Sequence, residues 1–336
     1  MKASAGAVVI DENSGGTGKT RALQFLVLFA LMVLLPGMLG SVFVWLYLMI
    51  PIAVLYSMYR WQYGFRLVLG GLAGAGVISV ITGSLGSLII ACLLVPGGYI
   101  LANSALQADT PARSGLKGTV ALITCCLLLF AGQTLLYDSN PVSVLLDSLD
   151  HDVEEAIDYY RQSGSFTPDT LAVLEQSFVQ MKAVVPKIIP ALLVSLALFV
   201  TWTTMIAGNR VVKRLTEYQP WPEHITWKLP DRLVWLFIIA TVGALLPLGT
   251  LRLIGINLLI TLSLAYVFQG FSVLSFFLHK WKTPLALRFF IYGMMLFQSF
   301  GTMLLLAGGL ADVWFDMRRL RTAAQPPPDS QDPPAE

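Results

Sequence analysis

Apolar runs of membrane-crossing length alternate with short polar gaps along most of this chain. A helix needs about 20 apolar residues to cross a bilayer, because no water is there to satisfy a backbone N–H or C=O. That ruler marks nine segments: 22–35, 41–57, 65–82, 84–103, 115–137, 190–207, 233–249, 253–278 and 284–311. Several are short or joined by tight turns at Pro36–Gly40 and Gly83–Gly86, and the count falls to eight if 233–249, the weakest, is not a full crossing. The pattern predicts an all-α, polytopic transmembrane helical bundle.

One sizeable stretch, 138–187, breaks the rhythm. Asn140-Pro141 reads as a helix start, an N-cap followed by proline at the first helical position. Val142, Leu145, Leu146, Leu149, Val153, Ile157 and Tyr160 then recur at helical spacing. Asp147, Asp150, Asp152, Glu154, Glu155 and Asp158 fall mostly elsewhere on the wheel. Gly164 closes this helix, and Thr167-Pro168-Asp169 opens a second with Leu171, Leu174, Phe178 and Met181 on one stripe. The product is an acidic, amphipathic helical hairpin outside the membrane, read first as a lid over the bundle. The chain thus divides into a flexible tail (1–21), spans one to five (22–137), the hairpin (138–187), spans six to nine (188–311) and a charged cluster with a proline-rich disordered tail (312–336).

Composition agrees with a lipid-facing surface: 56% of residues are hydrophobic and 12% charged, about half the charged share of a soluble domain. The net charge of +2 gives no reason to expect a nucleic-acid partner. Most of the 22 Lys and Arg residues fall in alternate gaps, which places the N-terminus in the cytoplasm and the hairpin outside. Arg318, Arg319 and Arg321 conflict with that scheme if nine spans cross, so the side of the C-terminus stays open. Trp61, Trp221, Trp227, Trp235, Trp281 and Trp314 lie near segment ends, at headgroup level.

Candidate chemistry is sparse. Ser14-Gly15-Gly16-Thr17-Gly18-Lys19-Thr20 imitates a phosphate-binding loop, but Asn13 stands where its first glycine belongs and a membrane span follows. Cys92, Cys125 and Cys126, with His151, His224 and His279, have no metal-ligand spacing. No cofactor, metal or catalytic set is expected, and the chain reads as a non-enzyme. Gly70 and Gly74 form a GxxxG for close helix packing. Pro96, Gly97 and Gly98 interrupt a span near its middle, where broken helices build solute sites in transporters. Asn257 and Gln269 are amides inside an apolar run and complete the candidate substrate-binding set. Asp312 and Asp316 with Arg319 read as a solvated ion-pair cluster.

The C-terminal half carries a resemblance. Trp227-Lys228-Leu229-Pro230-Asp231-Arg232 before a span, Asn257 and Gln269-Gly270 within the next, and Gly309-Leu310-Ala311-Asp312-Val313-Trp314-Phe315-Asp316-Met317-Arg318-Arg319 at the close resemble the YybS-like family. These are uncharacterised bacterial multi-span membrane proteins, described as a domain of unknown function, so the resemblance implies a bacterial inner-membrane location but no activity. The chain is also similar to substrate-binding subunits of energy-coupling-factor vitamin transporters, which have about six spans. Two readings follow. One is binding or transport of a small, neutral or weakly polar solute, with partners among other membrane subunits or an energy-coupling ATPase. The other is a structural or assembly protein acting through the hairpin and basic loops. A polar-lined cavity beside Pro96–Gly98, reached by Asn257 or Gln269, is what the solute reading requires.

Overall fold

Glycine and proline chemistry sets several helix ends in the computed structural model, which describes residues 17–137, 140–163 and 167–318. The tail before Thr17, the turn at Gly164 and the proline-rich tail lie outside the described residues, as do Ser14-Gly15-Gly16 of the phosphate-loop imitation. The described residues form helices and turns, with no strand among them. Two compact units divide at Pro220 and Trp221.

The first unit begins with α1 (Thr17–Leu39), which continues through Pro36 until Gly40, at φ 83°, turns the chain. A 3-10 stretch (Ser41–Leu48) leads into α2 (Met49–Arg60). Then come α3 (Gly64–Thr82), capped by Gly83 at φ 71°, α4 (Leu85–Leu106) and α5 (Pro111–Tyr137). Phe29, Val33, Ile50, Val54, Val68, Ala91 and Leu94 belong to its buried core. The predicted GxxxG residues do not carry the packing: Gly70 and Gly74 are exposed, and Gly71 instead lets α3 close on Phe29.

Between α4 and α5, Asp109 accepts hydrogen bonds from Lys117 and, at 2.6 Å, from the Ser104 hydroxyl. The Lys117 bond, then that from Ser104, holds its carboxyl below the ordinary carboxylate range. A lowered folded-state value stabilises the fold above the unfolded value of about 3.9, and this stabilisation is lost as pH falls through the folded one. Asp109→Asn is therefore expected to flatten the fall in melting temperature between neutral pH and pH 3, measured in detergent.

The hairpin forms as its caps predict. The Asn140 side chain accepts from the Val142 N–H at 2.9 Å to start α6 (Pro141–Ser163), and Thr167 caps α7 through the Thr170 N–H. Leu146, Leu149, Val153, Leu171, Leu174, Phe178 and Met181 turn inward, whereas Leu145 is 52% exposed. Arg161 pairs with Glu175 at 2.7 Å, and Lys182 with Asp150 and Glu154, a register that makes the two helices antiparallel. α7 (Pro168–Leu215) does not stop at the membrane. It is one helix of 48 residues that passes Pro186 and Pro190 and packs on α2 and α5. The hairpin is thus built on an extension of a membrane helix, and α6 packs along α7.

The second unit holds α8 (Leu233–Leu245), α9 (Gly249–Lys280), α10 (Leu285–Phe297) and α11 (Ser299–Phe315). At 13 residues α8 is roughly 20 Å long, short of the ~30 Å hydrocarbon layer. The segment expected as one span, 284–311, is instead two helices bent by 97° at Gln298, whose backbone is extended (φ −103°, ψ 132°). Among the described residues, seven helices are long and apolar enough to cross a membrane, or eight if the bent pair counts as one span. The sequence count of nine is reduced accordingly. Six of the seven belong to the first unit.

Candidate functional site

The residues expected to form a solute site fall in two separate units. Pro96, Gly97 and Gly98 lie inside an unbroken α4, correcting the broken-span expectation. A Cβ on Gly98 would stand 2.8 Å from the Pro51 Cα, and one on Gly97 2.5 Å from a Leu122 methyl. The glycines let α2 and α5 close on α4, and buried Leu94, Val95 and Leu101 surround them. Asn257 and Gln269 belong to the other unit. The Asn257 amide donates to the Leu253 carbonyl of its own helix at 2.9 Å, a structural use.

Gln269 does take part in a polar cluster, with partners the sequence reading missed. Its Nε2 donates to Asp312 Oδ2 at 3.2 Å, and its Oε1 accepts from the Leu229 N–H at 3.1 Å. Arg318 Nη2 donates to Asp312 Oδ2 at 2.7 Å and Nε to Oδ1 at 3.4 Å, while Nη1 reaches the Ile225 carbonyl at 2.7 Å. Both charged side chains are fully buried, so the expected solvated cluster is instead an interior ion pair. Its geometry depends on Asp316, which ends α11 in the left-handed conformation (φ 39°) and folds the chain back so that Arg318 meets Asp312. Arg319, the expected partner, lies outside the described residues.

This cluster sits at a junction of part-length helices. α8 runs antiparallel to α9, with Val234 beside Tyr266 and Gly243 beside Gly255. α11 also runs antiparallel to α9, its Leu305 carbonyl against Gly270 and its Gly309 against the Tyr266 carbonyl. α8 therefore starts, and α11 ends, near the level of Tyr266, about halfway along α9. Part-length helices meeting beside charged groups resemble solute sites in outline. Hydrogen-bond capacity decides against that use here. Both Asp312 oxygens, both ends of the Gln269 amide and three Arg318 nitrogens already have protein partners. A polar solute would have to displace bonds made in a buried site, where charge-assisted bonds are strongest. The arrangement acts as a clamp holding the 225–229 loop and the end of α11 against α9.

The hairpin offers the opposite environment. A shallow open depression of about 310 Å³ on α6 is lined by Asp152, Glu155, Ala156, Tyr159 and Tyr160. Tyr159 is 69% exposed and packs edge-on against Tyr160 at 5.8 Å. Carboxylates beside water-facing aromatic rings suit a cationic partner segment, which would gain both charge attraction and ring contact. No group of three or more metal-ligating side chains occurs among the described residues.

Comparison with known families places the chain. The model for a family described as "Predicted membrane protein (DUF2232)" matches residues 24–313. The chain belongs to that family. The match spans both units, agrees with the YybS-like resemblance and fits the apolar helices: this is a multi-pass membrane protein. No curated protein and no solved structure matches the chain.

Proposed function

We propose that this DUF2232 protein is a non-enzymatic docking subunit of the bacterial inner membrane, its acidic hairpin receiving a basic segment of another membrane protein. The observation that carries this reading is the continuity of α7, which joins the hairpin to the buried core of the first unit through one helix. The Lys/Arg bias supports a cytoplasmic N-terminus and an external hairpin. The test is a photo-crosslinking residue at Tyr159 in the full chain in native membranes. A discrete adduct that disappears with Asp152→Lys plus Glu155→Lys is expected. Absence of an adduct, or one indifferent to charge reversal, sinks the reading.

A second reading, solute binding, draws on the six membrane-length helices of the first unit, matching the span number of the substrate-binding subunits the chain resembles. It would require an energy-coupling ATPase on the basic side. A small neutral solute that raises the melting temperature of the wild type and equally that of the Asp152→Lys plus Glu155→Lys variant would favour it over docking.

A further inference from the structure

The corner between α9 and α10 gathers positive charge with nothing negative nearby in sequence: no Asp or Glu stands between Asp231 and Asp312. Lys280, Trp281 and Lys282 are all exposed there, Trp281 by 67%. Arg288, one turn into α10, folds back and donates from Nε to the Thr283 carbonyl at 2.7 Å. That bond fixes the guanidinium beside the turn and uses one donor, leaving its two Nη groups for an anion.

The backbone holds the turn closed. The Thr283 N–H bonds to the Leu278 carbonyl at 3.1 Å and the Lys282 N–H to the His279 carbonyl at 3.0 Å, the two bonds of a Schellman cap. Lys282 occupies its left-handed position (φ 51°), where glycine is usual. A side chain with a cation is kept at a position where glycine would fold more easily.

α10 indicates what the corner faces. It departs from α11 by 97°, and α11 runs along α9, the membrane-length helix of this unit. α10 therefore lies roughly in the bilayer plane. Its Tyr292 packs inward on Phe271 at 4.8 Å, while Leu285, Phe289, Phe290 and Phe297 are 68–92% exposed. An in-plane helix with that outer face rests among acyl chains just below the headgroups, with the preceding corner at headgroup level.

We propose that Lys280, Lys282 and Arg288, with Trp281, form a binding site for the headgroup of an anionic phospholipid, anchored by α10. Attraction of an anionic leaflet for each nearby cation corresponds to about a fivefold change in affinity. The test uses the full chain in bilayers of phosphatidylcholine and phosphatidylglycerol, with native mass spectrometry of the lipid it retains on release. Preferential retention of phosphatidylglycerol is expected, reduced about fivefold by Lys282→Gly and further by Lys280→Gln with Lys282→Gly. Because Lys282→Gly relieves the left-handed backbone, its melting temperature is expected to equal or exceed that of the wild type, separating lost binding from lost folding. Equal retention of both lipids, or an unchanged preference in the double variant, overturns the proposal. Displacement of the lipid by millimolar inorganic phosphate would assign the corner to a soluble anion and overturn it equally.

Discussion

Asp312→Ala is expected to destabilise the second unit by about 3–5 kcal/mol, because it removes the carboxylate that the fully buried Arg318 guanidinium meets. The magnitude follows from burial. The Arg161–Glu175 pair has a similar geometry, but its side chains are 55% and 38% exposed, and such pairs contribute about 0.2–1 kcal/mol. Replacing both interior charges, with Asp312→Leu and Arg318→Met, is expected to recover about half of the loss, since desolvating the ions offsets much of their attraction. A remainder of about 1–3 kcal/mol is expected, as the Gln269 amide loses its acceptor. Denaturant unfolding of the purified protein in detergent, with Trp235 and Trp314 as local reporters, measures the cycle. Single and double variants that are equally unstable would show that the pair does not act as a unit.

Gly309→Ala is expected to be comparably damaging, about 3 kcal/mol or more, while its neighbour Gly308→Ala is not. A Cβ on Gly309 would overlap the Tyr266 carbonyl oxygen and lie 2.9 Å from the Gly270 nitrogen. These are backbone atoms of α9, and no rotamer change can move them. The helices must separate, which also pulls Asp312, three residues on, away from Gln269. A Cβ on Gly308 meets nothing within 4 Å. There alanine gains helix propensity and is expected to stabilise by about 0.5–1 kcal/mol. Thermal melting of the two variants side by side checks this, and equal effects would show that α9 and α11 do not cross at these glycines.

What the sequence could disclose divides along physical lines. Asn140-Pro141 and Thr167-Pro168 were legible as helix starts because a cap is local chemistry, settled by a side chain and an N–H two or three residues away. The stripe through Leu171, Leu174, Phe178 and Met181 was legible because the helical period is fixed. Hydropathy could not reveal that 284–311 bends at Gln298, since no proline stands near the break and Gln298-Ser299 is too short a polar step to interrupt the apolar run. Nor could it show that Pro96–Gly98 serve packing, because proline inside a helix breaks it or is absorbed depending on what lies alongside. The Asp312–Arg318 pair was misread for a specific reason. Six residues is not a spacing at which side chains meet on a helix, and only the left-handed Asp316 brings the two together. Aspartate tolerates that conformation better than most residues, a weak signal visible only with the partner in view.

The length of α7 has a mechanical consequence. Its Thr201 is buried, with the Thr119 hydroxyl 3.4 Å away on α5. From there to its first turn the helix reaches roughly 50 Å at 1.5 Å per residue, so a tilt of about 5° at that pivot would swing the tip by about 4 Å. The gearing also works in reverse. A partner pressing on Tyr159 and Tyr160 would do so with a long arm, and a weak force at the hairpin would arrive among the membrane helices as a small, strong rotation.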